Sequence, residues 1–276
     1  MSSFETASGY TPHLQSGDSP LLISVPHAGT GVPPDMLEQL TADARPLPDT
    51  DWYVDRLYAW ALEVGAGMLV APLSRYVIDL NRPPDDAPLY DSPAATLLTG
   101  LVPTTTFSGA PVYAAGKEPD EPETIRRLEI YWRPYHRILH EELIRIRKCH
   151  GHAVLLDAHS IRSQLPLLFH GTLPDLNLGS NGRRSAAASL LAAARSALGD
   201  SPFSMVVDGR FKGGYITRHY GVPHESVHAL QLEMAQSAYM QEDPPRWRDA
   251  SAQPMQVILR RLVHSLMQWK PGNDGT

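Results

Sequence analysis

HAVLLDAHSIRSQ, residues 152–164, is the stretch whose reading decides the fold. Ala153 to Leu156 is a short apolar run of the length and composition of a strand buried on both faces, which is the habit of parallel sheets. It runs into Asp157-Ala158-His159-Ser160, a carboxylate and an imidazole two residues apart. In open α/β sheets, ligands gather in the crevice beyond the carboxyl ends of the strands. A polar D-x-H-S leaving such a strand is therefore a candidate for a metal ligand or a proton carrier, against the plainer reading of a polar turn.

Other segments repeat the pattern. Leu21 to Val25 (LLISV) reads as a second buried strand and meets Pro26-His27-Ala28-Gly29-Thr30-Gly31. Pro26 cannot continue a ladder and the glycines permit a tight turn, so His27 also sits at a strand's carboxyl end. Met68 to Ala71 and Tyr76 to Leu80 read as further strands, the latter closing on Asn81-Arg82. Val227 to Leu232 reads as another, closing on Glu233. Between them, WYVDRLYAWALEVGA has a helical apolar face, with Asp49, Thr50 or Asp51 available as its cap. Residues 121–148 form a long amphipathic helix with Glu121 and Glu123 at its start and Arg145, Arg147 and Lys148 at its end, as the helix dipole favours. Pro134 should kink it. Residues 165–170 and Tyr215 to Tyr220 have strand character, and residues 184–198 and about 253–269 are helical. Residues 83–122 are rich in Pro, Gly and Thr, which fits an excursion over a functional site. Strands alternating with helices predict one α/β domain over residues 1–276, with a mixed, mostly parallel central sheet flanked by helices.

Composition narrows the function. The 276 residues carry a formal net charge of −6, which gives no electrostatic case for binding nucleic acid or an anionic membrane. The single cysteine, Cys149, excludes an internal disulfide framework and fits a cytoplasmic setting. No stretch approaches the roughly 20 apolar residues of a membrane span, and the N-terminus lacks a signal peptide's apolar core.

Two histidines from different strand ends and a carboxylate satisfy the ligand requirement of a catalytic zinc site, which keeps one position for water. A further carboxylate such as Glu233 would serve as base, and an arginine would clamp a substrate carboxylate. A His₂-carboxylate site also accepts iron or manganese. His219, His224 and His228 read as structural histidines, and Cys149 as inert.

Seven segments carry a resemblance: SVPHAGTGVP at 24–33, DTDWYVDRLY at 49–58, SRYVIDLNRPPDD at 74–86, TGLVPTTTFSGAPVY at 99–113, YWRPYH at 131–136, LLDAHSIRSQLP at 155–166 and DGRFKGGYITRHYG at 208–221. Together they resemble the N-formylglutamate amidohydrolases (N-formylglutamate deformylases) of histidine degradation, from about residue 20 to 240. That family looks related to zinc carboxypeptidases and zinc deacylases, which implies a phosphorylase/hydrolase-like fold and hydrolysis of a formyl amide to glutamate and formate. Carried over by position, the resemblance implies zinc ligands His27 and His159 and a general base at Glu233. It implies Asn81-Arg82 as the pair that holds a substrate carboxylate. The position three residues after His27 is Thr30, which cannot replace the glutamate of carboxypeptidases. Asp51 is the preferred third ligand, with Asp49 and Asp55 as competitors. Asp157 is either an orienting partner or a backbone acceptor. Arg75, Arg162, Arg210, Lys212 and Arg218 are further candidates for substrate carboxylate and oxyanion binding. A zinc deacylase acting on another N-acyl amino acid or peptide is the nearest alternative, and a metal-free binding protein a more distant one.

Overall fold

A computed structural model describes residues 11–89 and 100–272. Its centre is a seven-stranded sheet in the order β1-β3-β2-β4-β7-β5-β6, made of β1 (His13–Gln15), β2 (Leu21–Val25), β3 (Gly67–Val70), β4 (Ala153–Ile161), β5 (Leu176–Gly179), β6 (Met205–Val207) and β7 (Val227–Ala235). β3, β2, β4 and β7 run parallel, as do β5 and β6; β1 is antiparallel to β3, and β5 to β7. The fold is thus the expected α/β arrangement with a mixed, mostly parallel sheet. A small hairpin, β8 (Met240–Gln241) with β9 (Arg246–Trp247), stands apart. No helix among the described residues is long and apolar enough to cross a membrane.

Side chains alternate across the sheet, and the alternation locates the site. One face shows Ile23, Leu156, Leu178 and Leu232, packed under the helices Asp249–Gln268 and Ala188–Gly199. The other face shows Leu22, Ala153, Leu155 and Ala229, packed under Tyr135, Leu139, Leu143 and Ile146 of the helix Arg133–His150. Continuing that second face in steps of two gives Ser24, then Asp157 and His159, then Gln231 and Glu233. One face of the sheet is therefore apolar at its amino-terminal half and polar at its carboxyl end.

Several expectations need correction. Asp157, His159 and Glu233 lie within strands, not beyond their ends, because β4 is sandwiched between β2 and β7 and its ladder runs on to Ile161↔Ala235. Tyr76 to Leu80 is a turn. Arg127 and Tyr113 take the carbonyl of Tyr76, Arg127 takes that of Val77, and Asp79 donates its amide to Leu101, so no ladder partner is engaged. Residues 165–170 also form a turn, with the amides of Leu168 and Phe169 on the carbonyl of Leu165. Tyr215–Tyr220 is a helix, started by Asn81, whose backbone carbonyl and side-chain oxygen accept the amides of Tyr215 and Ile216. Leu176–Gly179 forms the buried strand β5, where the sequence predicts no element.

Neither Asp49, Thr50 nor Asp51 caps the helix Val54–Tyr58. Tyr53 occupies that position without a side-chain cap, since both carboxylates are engaged elsewhere. The irregularity at Pro134 takes the form of a π turn over Leu128–Trp132, in which Arg133 donates five residues back to Leu128. A proline lacks the N–H for its own helical bond and crowds the carbonyl four residues earlier, and a wider turn relieves both. Of the excursion 83–122, residues 90–99 lie outside the described residues; Leu89 and Phe107 reach the cavity described next.

Candidate metal and substrate site

His27, Asp51 and His159 converge at the carboxyl end of the sheet, where one ligand atom from each lies within 4.8 Å of the others. His27 follows β2 by two residues, and Asp51 is tied to it through the Asp51 amide on the His27 carbonyl, 3.0 Å. Gly29 is required in this turn by space, since a Cβ there would fall 2.4 Å from the Pro72 backbone. His159 arrives from β4. Its Nδ1 is 2.8 Å from Asp51 Oδ2, which also accepts the Ser160 amide.

Each imidazole is held from behind by a carboxylate. His27 Nε2 donates to Asp79 Oδ1 at 2.8 Å, and His159 Nε2 lies 3.0 Å from Asp157 Oδ2. This places both Nδ1 atoms on the Asp51 side, His27 Nδ1 being 3.8 Å from Asp51 Oδ2. Metal-ligating histidines characteristically donate their second ring nitrogen to a carboxylate in this way. His27 Nδ1 is buried without a hydrogen-bond partner, and a buried polar atom left so is costly unless something else occupies its lone pair. Asp51, Asp79 and Asp157 are all buried, with Arg75 ion-paired to the first two, and a divalent cation in place of the proton on His159 matches the surplus. The buried trio thus fits a metal ion in donor type, spacing and charge.

Burial acts on every group here and the neighbours decide the outcome. It raises the Asp51 carboxyl, but the hydrogen bond to His159 and the two neighbouring imidazoles outweigh it and hold Asp51 below the usual range. Asp79 is likewise opposed by burial yet held well below that range by Arg75 and His27. Burial depresses His159, but Asp157 and Asp51 lift it well above an ordinary imidazole. For His27 burial prevails, Arg75 adds to it, and the ring is kept neutral. Glu233 stands opposite His159 in the β4–β7 register. Burial, with Asp51 and Asp157 beside it, pushes its carboxyl up to about 8 against the opposing charges of His159 and Arg75.

Arg75 Nη2 donates to Asp79 Oδ2 at 2.6 Å, its Nη1 is 3.8 Å from Asp51 Oδ1, and its guanidinium lies 4.7 Å from the centre of the Phe107 ring. Asn81 turns inward. Its Nδ2 is 3.1 Å from Asp157 Oδ2 and 2.9 Å from His159 Nε2, while its Oδ1 accepts from Ile216. A small cleft is lined by the metal trio, Arg75, Asn81, Arg82, Arg210 and Glu233.

Arg162 and Arg218 are not among the residues lining that cleft. Arg162 reaches the carbonyl of Glu242 and the carboxylate of Asp243, and Arg218 donates through Nε to the carbonyl of Gly213. Of the competing acids, Asp49 accepts from Tyr76 and from the Phe107 amide, and Asp55 is exposed. Asp79 had no role in the sequence reading. Its signal was a carboxylate two residues before Asn81 in DLNR, ambiguous because the segment reads as a strand.

Residues 19–240 match the sequence profile of the family described as N-formylglutamate amidohydrolase. The chain belongs to that family. The N-formylglutamate amidohydrolase family includes relatives similar to this chain over most of its length. It is 50% identical to a protein named N-formylglutamate deformylase of Pseudomonas aeruginosa, covering 93% of this chain and 96% of that protein. It is 48% identical to the protein of the same name of Pseudomonas putida, covering 93% and 95%. The crystal structure of N-formylglutamate amidohydrolase from Ralstonia eutropha JMP134 superposes with a TM-score of 0.80 at 25% identity, covering 93% of this chain and 97% of that one. A protein of Agrobacterium tumefaciens, 17% identical with a TM-score of 0.69 and covering 94% and 95%, shares the fold.

Proposed function

We propose that this chain hydrolyses N-formyl-L-glutamate to L-glutamate and formate, the closing reaction of a histidine degradation pathway, with a divalent metal held by His27, Asp51 and His159. The observation that carries the reading is the gathering of that donor trio, Glu233 and three guanidiniums in one cleft. The relatives named N-formylglutamate deformylase supply the substrate. Zinc is the ion we favour, and when bound in such a site it supplies Lewis acidity for the scissile carbonyl and for water.

The chain's own residues do the rest. Asp79 and Asp157 fix the two imidazoles with Nδ1 of each on the Asp51 side, where both would be free to hold the ion. Asn81 braces Asp157 from the side by donating Nδ2 to its carboxylate. Glu233 takes a proton from the attacking water as the water oxygen bonds to the formyl carbon, and returns it to the nitrogen as the C–N bond breaks. Arg75, beside Asp51, faces the oxygen on which negative charge develops, where preorganised charge contributes most to catalysis. Arg82 binds the substrate's α-carboxylate in two-pronged fashion. A cytoplasmic location accords with the single cysteine.

Rates on a panel of N-formyl, N-acetyl and N-succinyl amino acids test this reading. N-formyl-L-glutamate should give the highest kcat/KM. Preference for any other member of the panel would overturn it.

A further inference from the structure

The loop after β6 delivers one more guanidinium to the cleft. It is pinned at both ends. Asp208, at φ 48°, accepts from the Ser180 amide at 2.7 Å and the Ser180 hydroxyl at 2.6 Å. Further on, the Lys212 carbonyl accepts from Asn181 at 2.6 Å, and the Gly214 amide donates to Gln231 Oε1 at 2.8 Å. Gly214 sits so close to Asn81 that a Cβ would fall 2.4 Å from its Nδ2. Between these pins, Arg210 and Phe211 both line the cleft. Arg210 Nε donates to the Leu168 carbonyl at 3.0 Å, which fixes the guanidinium at the wall. Leu168 and Phe211 pack with Phe107, Ile161 and Leu165.

This side of the cleft is therefore an apolar wall with a cation held on it. A short methylene chain ending in a carboxylate is complementary to that surface: the methylenes lie on Leu168 and Phe211, and the charge meets Arg210. The α-carboxylate, two bonds from the scissile nitrogen, falls instead to Arg82, next in sequence to the Asn81 that touches His159. We propose that Arg210 binds the γ-carboxylate and is the residue that selects glutamate. The assignment rests on the deformylase reading above.

The test compares kcat/KM for N-formyl-L-glutamate with that for N-formyl-L-glutamine, which replaces the γ-carboxylate by an uncharged group of the same shape. A charge-assisted hydrogen bond is worth about 10–100-fold in such a ratio. Arg210→Gln should lose that factor on N-formyl-L-glutamate, mainly through KM, and bring the ratio toward one. Arg210→Lys, which keeps the charge, should retain most of the preference. Arg82→Gln should slow both substrates and leave the ratio in place. A wild-type preference that survives in Arg210→Gln, or an equal loss on both substrates, overturns the role of Arg210 alone. A wild-type enzyme inactive on N-formyl-L-glutamate overturns the underlying activity as well.

Discussion

Glu233 and His159 are register partners on adjacent parallel strands, so the proposed base and a proposed metal ligand are fixed to each other by the backbone ladder of the sheet. Glu233→Gln keeps the shape of the side chain and removes its basicity. Turnover should fall about 10²–10⁴-fold, the usual contribution of a positioned proton-transfer group, with bound metal unchanged. The base must be ionised to act. Burial pushes Glu233 up to about 8, and a bound dication draws it down. kcat/KM should therefore rise with pH along a limb lying below 8, absent from the residual rate of Glu233→Gln. A flat profile in the wild type would contradict the assignment.

The carboxylates behind the histidines should tune metal affinity without being ligands. Asp79→Asn and Asp157→Asn each weaken the orientation of one imidazole, and loss of such a partner typically costs about 10–100-fold in metal affinity. Competition with a chromogenic chelator measures it. Unchanged affinity in both variants would remove these residues from the metal site.

Two side chains of the long helix hold the Asn81-Arg82 segment in place. His136 Nε2 donates to the Leu80 carbonyl at 2.9 Å, Trp132 Nε1 donates to the Arg82 carbonyl at 3.0 Å, and the two rings stack with centroids 3.7 Å apart. His136→Leu leaves a buried carbonyl unsatisfied and should cost about 1–3 kcal/mol, with a raised KM because Arg82 is no longer fixed. Burial lowers the His136 pKa from 6.5 to about 3. Between those values the unfolded chain binds the proton and the folded chain does not, so stability is complete above about 6.5 and declines as pH falls toward 3. His136→Gln should flatten that decline, as read from urea midpoints across the range.

The sequence made the buried strands around Leu21 and Ala153 legible, because runs of branched apolar residues have few other uses in a chain of this composition. His27, His159 and Glu233 were legible for the same reason, as polar residues attached to such runs. Tyr76 to Leu80 and Tyr215 to Tyr220 were not, since their backbone partners are the side chains of Arg127, Tyr113 and Asn81, far away in sequence. Asp79 was hidden with the first of these segments. Arg210 could not be ranked above Arg162 or Arg218, because only the pinning of the loop at Asp208 and Gly214 turns it into the cleft.

The central claim is a metal held by His27, Asp51 and His159 and required for hydrolysis. Chelator-treated protein, titrated with zinc while formate release from N-formyl-L-glutamate is followed, tests it most directly. Activity should be lost on chelation and rise linearly to a break at one equivalent per chain. Asp51→Asn should show no such break at stoichiometric zinc. Full activity in protein shown to hold no metal would contradict the account.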